Sequence, residues 1–407
     1  MTAADNRRIA GLASDRAVHR AFGWLHLHEP QLRRWQMEFL AVAAPPFGEA
    51  ERAAWFCERF EEMGLEGARV DAEGNAVAEL RASKAAEDGP VVLLSAHLDT
   101  VFPAGTDCRP REEEAKILGP GACDNGAGLA ALLGLAAALR HAKIHPACTI
   151  LFAANVGEEG EGDLRGMRHL FSAESAYATR IRTVIALEGS GNATAVDRAL
   201  GSRRLRVTIG GPGGHSWADA GRGNPIMALA AALVELAKIR LPARPRTTLN
   251  CGVISGGTSV NSIPESATAD LDLRSVSAVE LDRIELAVLH TLTSAVEAEN
   301  RRLGGAELTL QVVRIGDRAA GALGGSSALY GSLRAVDRHL GLATELRIGS
   351  TDANLPLSLG IPALAIGAGG KGWGIHTLLE GYDPTGRDLA LRRVLLLLLD
   401  TCGVVAG

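Results

Sequence analysis

Apolar runs that end in polar residues recur through the first half of the chain. They are VVLLSAHLDT at 91–100, CTILFAANVGEEG at 148–160 and TVIALEGSG at 183–191. A run that is apolar on both faces is typical of a central strand in a parallel sheet. Between the first two runs, GLAALLGLAAALR at 128–140 predicts a buried helix. Strands that alternate with helices and end in polar residues predict an open α/β sheet with a site at the carboxyl ends of its strands.

A different pattern occupies the middle of the chain. Alternating polar and apolar residues predict half-exposed antiparallel strands at 203–211, 247–254, 266–274 and 307–315. Helical patterns lie at 225–239 and 278–302. The order β-α-β-β-α-β is that of a ferredoxin-like module. From about residue 325 the buried pattern returns, with PALAIG at 362–367 as another central strand.

We therefore predict an α/β fold with a mixed, mostly parallel central sheet flanked by helices and an inserted ferredoxin-like (βαββαβ) domain. A chain of 407 residues is too long for one ordinary core, which also favours two domains. The predicted boundaries place the first part of the larger domain at residues 1–200, the inserted domain at 201–316 and the second part at 317–407.

Charge and hydropathy exclude some classes of partner. Lys and Arg total 42 against 47 Asp and Glu, and no basic arm is present, so we expect no nucleic-acid partner. The N-terminus lacks the apolar core of a signal peptide, and the longest apolar stretch, Gly126 to Leu139, is short for a membrane span. The six cysteines are widely spaced and are expected to be free thiols. These features predict a cytoplasmic protein without a membrane partner.

Histidines and acidic residues follow the predicted strands repeatedly. The set is His97, Asp99, Asp124, Glu158, Glu159, Glu188 and His376. A single Asp before a helix is commonly an N-cap, and a single His at a strand end is commonly an ordinary polar residue. The joint pattern, however, predicts a metal site, because adjacent carboxylates such as Glu158 and Glu159 repel each other without cations. Imidazole with carboxylate suits two divalent ions such as Zn²⁺, Co²⁺ or Mn²⁺, with Asp124 as the bridge in its Gly-flanked loop.

Seven segments in order, from about residue 40 to the end, resemble those of one enzyme family. They are SAHLDTVFP, GPGACDNGAG, NVGEEGEG, ALEGSG, GPGGHSW, GGTSVNSIPESA and GIHTLLEG. The family is the co-catalytic (two-zinc) metallopeptidase family of peptidase T, carboxypeptidase G, aminoacylase, acetylornithine deacetylase and succinyl-diaminopimelate desuccinylase.

The resemblance implies roles for the residues that match these motifs in the larger domain. His97 and Glu188 would be terminal ligands of one metal ion, and Glu159 and His376 of the other, with Asp124 bridging both. Asp99 would orient the imidazole of His97. Glu158 would be the general base of the reaction.

The resemblance also assigns a role to the inserted domain, which would be a lid and dimerisation module. His215 would reach the active site of a neighbouring subunit in a homodimer and hydrogen-bond the developing oxyanion. Asn261 and Arg274 would bind the carboxylate of the substrate. An ordinary ion pair on a strand face remains the alternative for Arg274.

The expected function is therefore amide hydrolysis by a zinc-dependent metallopeptidase that acts on short peptides, as a di- or tripeptidase or at a C-terminal residue. The segment TDANLPLSLGIPA resembles the peptidase branches more than the biosynthetic deacylases. Two alternatives stay open. One is an N-acyl amino acid deacylase with the same metals, and the other is a non-catalytic dimeric binding protein on the same fold. A two-metal phosphoesterase is disfavoured, because no cationic phosphate clamp accompanies the acidic residues.

Overall fold

The computed structural model describes residues 3–82, 88–305 and 307–405. The chain forms two compact units. The larger unit contains the residues up to Ala199 and from Ala322 onward, and the smaller unit runs from Leu200 to Gly321. The predicted boundary after residue 316 falls inside the last long strand of the smaller unit, Thr309–Arg318.

The helices of the described residues are α1 (Ala3–Ser14), α2 (Arg16–Leu27), α3 (Glu29–Leu40), α4 (Ala50–Glu62), α5 (Gly126–Ala142), α6 (Arg165–Leu170), α7 (Pro225–Leu236), α8 (Ala278–Leu303), α9 (Ala328–His339), α10 (Asn354–Ser358) and α11 (Arg387–Cys402).

The strands of the described residues are β1 (Glu66–Val70), β2 (Ala76–Leu80), β3 (Val91–His97), β4 (Arg111–Glu113), β5 (Lys116–Leu118), β6 (Thr149–Asn155), β7 (Ile181–Leu187), β8 (Thr194–Ala199), β9 (Gly201–Gly210), β10 (Gly214–His215), β11 (Thr247–Gly256), β12 (Ser262–Ile263), β13 (Ser266–Ser275), β14 (Thr309–Arg318), β15 (Gly321–Ala322), β16 (Glu345–Gly349), β17 (Ala363–Ile366), β18 (Lys371–Trp373) and β19 (Gly381–Asp383).

A mixed sheet forms the centre of the larger unit. Its strand order is β1-β2-β6-β3-β7-β17-β8-β15, with β16 also paired to β8. The pairs β6–β3, β3–β7 and β7–β17 are parallel, whereas β1–β2, β2–β6 and β17–β8 are antiparallel. Every residue of β3 and β6 is buried, as expected for strands covered on both faces. The predicted fold class is confirmed.

Helix α5 supports the middle of this sheet. Nearly all of its residues are buried, because its sequence is apolar all round. The side chain of Asn125 caps the helix by accepting a hydrogen bond from the backbone N–H of Gly128 at 3.2 Å. Lys143 ends it in the left-handed conformation. The residue before the cap is Asp124, so the start of a rigid buried helix fixes its position.

The smaller unit has the predicted βαββαβ order, β9-α7-β11-β13-α8-β14. Its strands pair antiparallel in the order β11-β13-β9-β14, with a separate core of apolar residues from α7, α8 and the sheet. Asn224 caps α7, and Ser277 caps α8, which ends at Gly304 with φ 79°. β10 and β12 form a short ladder of their own.

Two further findings concern the chain as a whole. None of the helices in the described residues is long and apolar enough to span a membrane. All six cysteines are free, as expected.

Candidate metal centre

Three neighbouring parallel strands deliver polar residues to one edge of the central sheet. β3 ends at His97, which lies opposite Asn155, the last residue of β6. Glu158 and Glu159 follow β6 after a short turn, and Glu188 follows β7 directly. Because these strands are adjacent and parallel, the side chains meet at their carboxyl ends.

Asp124 lies between two groups of possible ligands. Its Oδ1 is 3.2 Å from Nε2 of His97, and its Oδ2 is 3.0 Å from Nε2 of His376. On the first side, Nε2 of His97 is 3.7 Å from Oε1 of Glu188. On the second side, Nε2 of His376 is 3.0 Å from Oε1 of Glu159. The two carboxylate oxygens of Asp124 therefore face different partners.

These distances fit metal ligation. One group consists of His97, Asp124 and Glu188, and another of Asp124, Glu159 and His376; within each group one ligand atom per residue lies within 4.8 Å of the others. A third group with the same spacing contains His97, Glu158 and Glu159. We call the six residues of these groups the carboxylate–imidazole cluster. The structure brings together all five residues that the sequence suggested as metal ligands, together with the suggested base, Glu158.

Asp99 holds the acidic pair more directly than it holds the imidazole. Its Oδ1 accepts the backbone N–H of Glu158 at 2.9 Å, and its Oδ2 accepts that of Glu159 at 2.7 Å. Nδ1 of His97 lies 3.0 Å from the backbone carbonyl oxygen of Asp99 and 3.5 Å from its Oδ1. Orientation of His97 thus depends mainly on the backbone of Asp99, while its carboxylate fixes the turn that presents Glu158 and Glu159.

The loop that carries Asp124, residues 119–125, is anchored to the neighbouring strand. The side chain of Asn125 donates to the carbonyl oxygen of Leu187 at 2.9 Å and accepts the N–H of Gly189 at 3.1 Å. These two bonds bracket Glu188, so the loop and the end of β7 are locked together. The sequence analysis did not identify Asn125 as a site residue. The available signal was its position between Asp124 and the glycine-rich start of a predicted helix.

Burial and neighbouring charges shift the pKa values of residues in the carboxylate–imidazole cluster strongly. Burial and the nearby charges of Asp124 and Asp352 raise the pKa of Glu188 to about 7, although His97 opposes the shift. Burial would raise the pKa of Asp124, but hydrogen bonds from His376 and His97 hold it below its usual range. Hydrogen bonds to Asp124 and Glu159 raise the pKa of His376 to about 10. The imidazoles thus compensate carboxylates that repel one another.

The residues present fit divalent cations. Four carboxylates face two imidazoles, so two protonated histidines would still leave an excess of negative charge. Oε2 of Glu188 is buried without a hydrogen-bond partner, and such an atom calls for a donor or a cation. Mixed nitrogen and oxygen ligands suit Zn²⁺, Co²⁺ or Mn²⁺.

Two of the remaining suggested residues lie together in the smaller unit. His215 pairs with Ser262, and the N–H of Ser216 donates to the carbonyl oxygen of Asn261 at 3.0 Å. Nδ1 of His215 accepts the N–H of Trp217 at 3.2 Å, so the neutral ring carries its proton on Nε2. His215 and Asn261 are both exposed. The imidazole is therefore prepared to donate a hydrogen bond.

Arg274 lies on β13, in the four-stranded sheet of this unit, at the end away from His215 and Asn261. It pairs with Ser202, whereas Ser266, at the other end of β13, pairs with Gly210. Beyond Ser266, the N–H of Gly211 donates to the carbonyl oxygen of Glu265, and the separate ladder of β10 and β12 follows; it contains His215, and Asn261 directly precedes β12. Eight residues of strand, roughly 26 Å, separate Arg274 from Ser266 alone. One chain therefore cannot place Asn261 and Arg274 against the same carboxylate.

Arg274 also has a local partner. Its Nε donates to Oδ2 of Asp272 at 2.7 Å, and about a third of its side chain is exposed. This is the ion pair that the sequence left open as the ordinary explanation. Because this hydrogen bond to Asp272 uses Nε, the two terminal Nη groups of Arg274 take no part in it.

Comparisons with known proteins agree with this architecture. A family model described as Peptidase family M28 matches residues 75–203, and one described as a peptidase dimerisation domain matches residues 199–299. A probable carboxypeptidase from Aspergillus clavatus is 31% identical over 247 residues, which are 56% of this chain and 54% of the relative. The chain thus spans about half the length of the curated relatives it matches.

Solved structures share the fold over nearly the whole chain. A tripeptidase from Staphylococcus aureus has a TM-score of 0.73 at 24% identity and covers 91% of this chain and 97% of its own. A dinuclear metal binding peptidase from Bacillus subtilis has a TM-score of 0.67 at 16% identity. It covers 93% of this chain and 100% of its own.

Fold and cluster together define an α/β protein with an inserted domain that is similar to a peptidase dimerisation domain and with side chains that suit divalent metal ions. Two segments of the chain therefore resemble peptidase families, and the fold over nearly the whole chain is that of the tripeptidase and of the dinuclear metal binding peptidase.

Proposed function

We propose that the protein is a two-metal peptidase that hydrolyses amide bonds in short peptides. The observation that carries this proposal is the position of Asp124, whose two oxygens face His97 on one side and His376 on the other. A carboxylate between two ligand groups is what a pair of metal ions a few Å apart requires. The names of the relatives, carboxypeptidase and tripeptidase, point to peptides as the substrate class.

In the proposed site, His97 and Glu188 would hold one ion, Glu159 and His376 would hold the other, and Asp124 would be shared by both groups. We propose Zn²⁺ as the native metal, with Co²⁺ or Mn²⁺ as substitutes, because each group contains one imidazole and two carboxylates. When bound, two such cations supply Lewis-acid activation of water and of the substrate carbonyl group.

The remaining steps use groups of the protein. Glu158 is buried at the edge of the cluster, with its backbone held by Asp99, so its carboxylate is positioned to take a proton from the attacking water. It then returns this proton to the leaving amine. Nε2–H of His215 donates to the oxyanion that forms on the carbonyl oxygen.

We further propose a homodimer in which two chains complete each site. Arg274 pairs with Ser202, close in sequence to Leu200, where the chain enters the smaller unit, whereas His215 and Asn261 lie at the far end of that unit. Because at least roughly 26 Å separates them within one chain, we propose that they serve one carboxylate from different chains. We assign Arg274 to the site of its own chain and His215 and Asn261 to that of the partner subunit.

The test is a substrate panel after reconstitution of the metal-free protein with Zn²⁺, Co²⁺ or Mn²⁺. Release of free amino acid is measured from dipeptides, tripeptides, C-terminally amidated dipeptides and N-acetyl amino acids. Faster release from free peptides supports a peptidase, and preference for N-acetyl amino acids supports the deacylase alternative. A protein that binds the metals but hydrolyses nothing in the panel would match the non-catalytic binding protein.

A further inference from the structure

Glu380 is a buried carboxylate behind the loop that carries Asp124. It is only 1% exposed and lies four residues after His376, immediately before β19. Its Oε1 accepts the backbone N–H groups of Cys123 and Asp124, both at 2.8 Å, and its Oε2 accepts that of Gly121 at 3.0 Å. Three donors spread over four residues thus converge on one side chain.

The backbone of Glu380 adds a fourth connection. The N–H of Gly119 donates to its carbonyl oxygen at 2.9 Å. Gly119 and Gly121 both have positive φ, 145° and 76°, so this part of the loop follows a course that other residues rarely adopt. Glu380 therefore holds the loop from its first residue through Asp124.

Burial of the Glu380 carboxylate in this arrangement lowers the stability of the fold. Burial raises the pKa of Glu380, the three N–H bonds oppose that shift, and the negative charge of Asp124 adds to it. The donors that meet its two oxygens are backbone amides and not Lys or Arg side chains. A buried carboxylate without a cationic partner, placed beside a second carboxylate, is unfavourable unless its position serves another purpose.

We infer that Glu380 is a positioning residue, which fixes the Asp124 backbone so that the two side-chain oxygens face His97 and His376 before any ion binds. This inference rests on the proposed two-metal function. Glu380 acts only through Asp124, because its own oxygens are occupied by backbone amides. Loss of groups that orient metal ligands weakens metal binding by roughly 10- to 100-fold.

The direct test is Glu380→Gln, which keeps the shape and removes the charge. An amide has one oxygen, so its NH₂ group must face at least one backbone N–H. We expect roughly 10- to 100-fold weaker binding of Zn²⁺ to the metal-free protein, measured by isothermal titration calorimetry. At saturating metal, kcat for the best dipeptide should fall while KM changes little. Wild-type affinity for both ions in this variant would overturn the inference.

Glu79→Gln is the matched control. Glu79 is a buried residue of β2 that accepts hydrogen bonds from Tyr177 and Arg81 rather than from the cluster. We expect a lower melting temperature in this variant but unchanged metal affinity. An equal loss of affinity in both variants would mean that Glu380 contributes only to general stability, and would refute the positioning role.

Hydrogen exchange tests the inference even if the variant does not fold. In the metal-free wild type, the amides of Gly121, Cys123 and Asp124 should exchange slowly. In Glu380→Asp, whose carboxylate is one methylene shorter, they should exchange faster. Exchange in the wild type as fast as that of exposed loops would refute the role. A wild type that binds no divalent ions would instead contradict the proposed function, so the two failures can be told apart.

Discussion

Replacement of Asp124 by Ala should abolish binding of both metal ions. Asp124 supplies Oδ1 to the group of His97 and Glu188 and Oδ2 to the group of Glu159 and His376. The variant leaves each group with two protein ligands instead of three. Loss of a residue that only orients a metal ligand already weakens metal binding by roughly 10- to 100-fold. Loss of a ligand shared by both ions should therefore weaken the binding of each ion by more than about 100-fold.

Asp124→Asn extends this prediction, because its amide keeps one oxygen and so serves only one group. Metal-free proteins would be incubated with Zn²⁺, passed through a desalting column and analysed for metal. We expect two ions per chain in the wild type, at most one in Asp124→Asn and none in Asp124→Ala. Asp107→Ala, at an exposed residue paired with Arg109, is the control and should retain both ions. Two ions in Asp124→Ala would refute the bridging assignment.

Loss of Asp124 also removes one of the acidic partners of the buried imidazole of His97. Breaking a buried pair costs about 3–5 kcal/mol of stability. Melting temperatures of the metal-free proteins must therefore be measured beside the metal content. A variant that remains folded yet binds no ion isolates the effect on ligation.

Further predictions concern the base and the smaller unit. Glu158→Gln should keep both ions but lose roughly 10²-fold or more in kcat, whereas Glu159→Gln should weaken metal binding; exchanged phenotypes would reverse these assignments. Arg274→Ala should raise KM roughly tenfold or more for peptides with a free carboxylate, but little for their amides; equal effects would leave it as the ion pair with Asp272. Mixing inactive His215→Ala and Glu158→Ala chains, with exchange verified by tags, should restore about a quarter of wild-type activity, because half the dimers are mixed and each has one complete site. Mixing Arg274→Ala with Glu158→Ala chains should restore no activity beyond the residual activity of Arg274→Ala. Recovery to a quarter of wild-type activity would place Arg274 in the site of the partner subunit.

Much of the fold was readable from apolar patterns. Continuous apolar runs predicted β3, β6, β7 and β17, because strands covered on both faces have no polar side to display. Alternating patterns predicted the smaller unit, whose strands have one exposed face. The helices α1 and α2 and the pairing of β16 with β8 were not predicted. Charged residues interrupt the apolar positions of α1 and α2, and β16 is exposed along nearly its whole length, so their places depend on contacts with distant parts of the chain.

For the site, the sequence alone predicted which polar side chains come together, because polar residues that directly follow buried strands meet at one edge of a parallel sheet. Only the tertiary structure decided how they are used. It turned the two oxygens of Asp124 toward different partners, directed the carboxylate of Asp99 to the acidic turn, and placed Glu380 behind the loop. It also separated Arg274 from Asn261. Hydrogen bonds between residues more than 200 positions apart, such as that of Glu380 to Asp124, leave no periodic signal, because they arise only when separate strands and loops pack together.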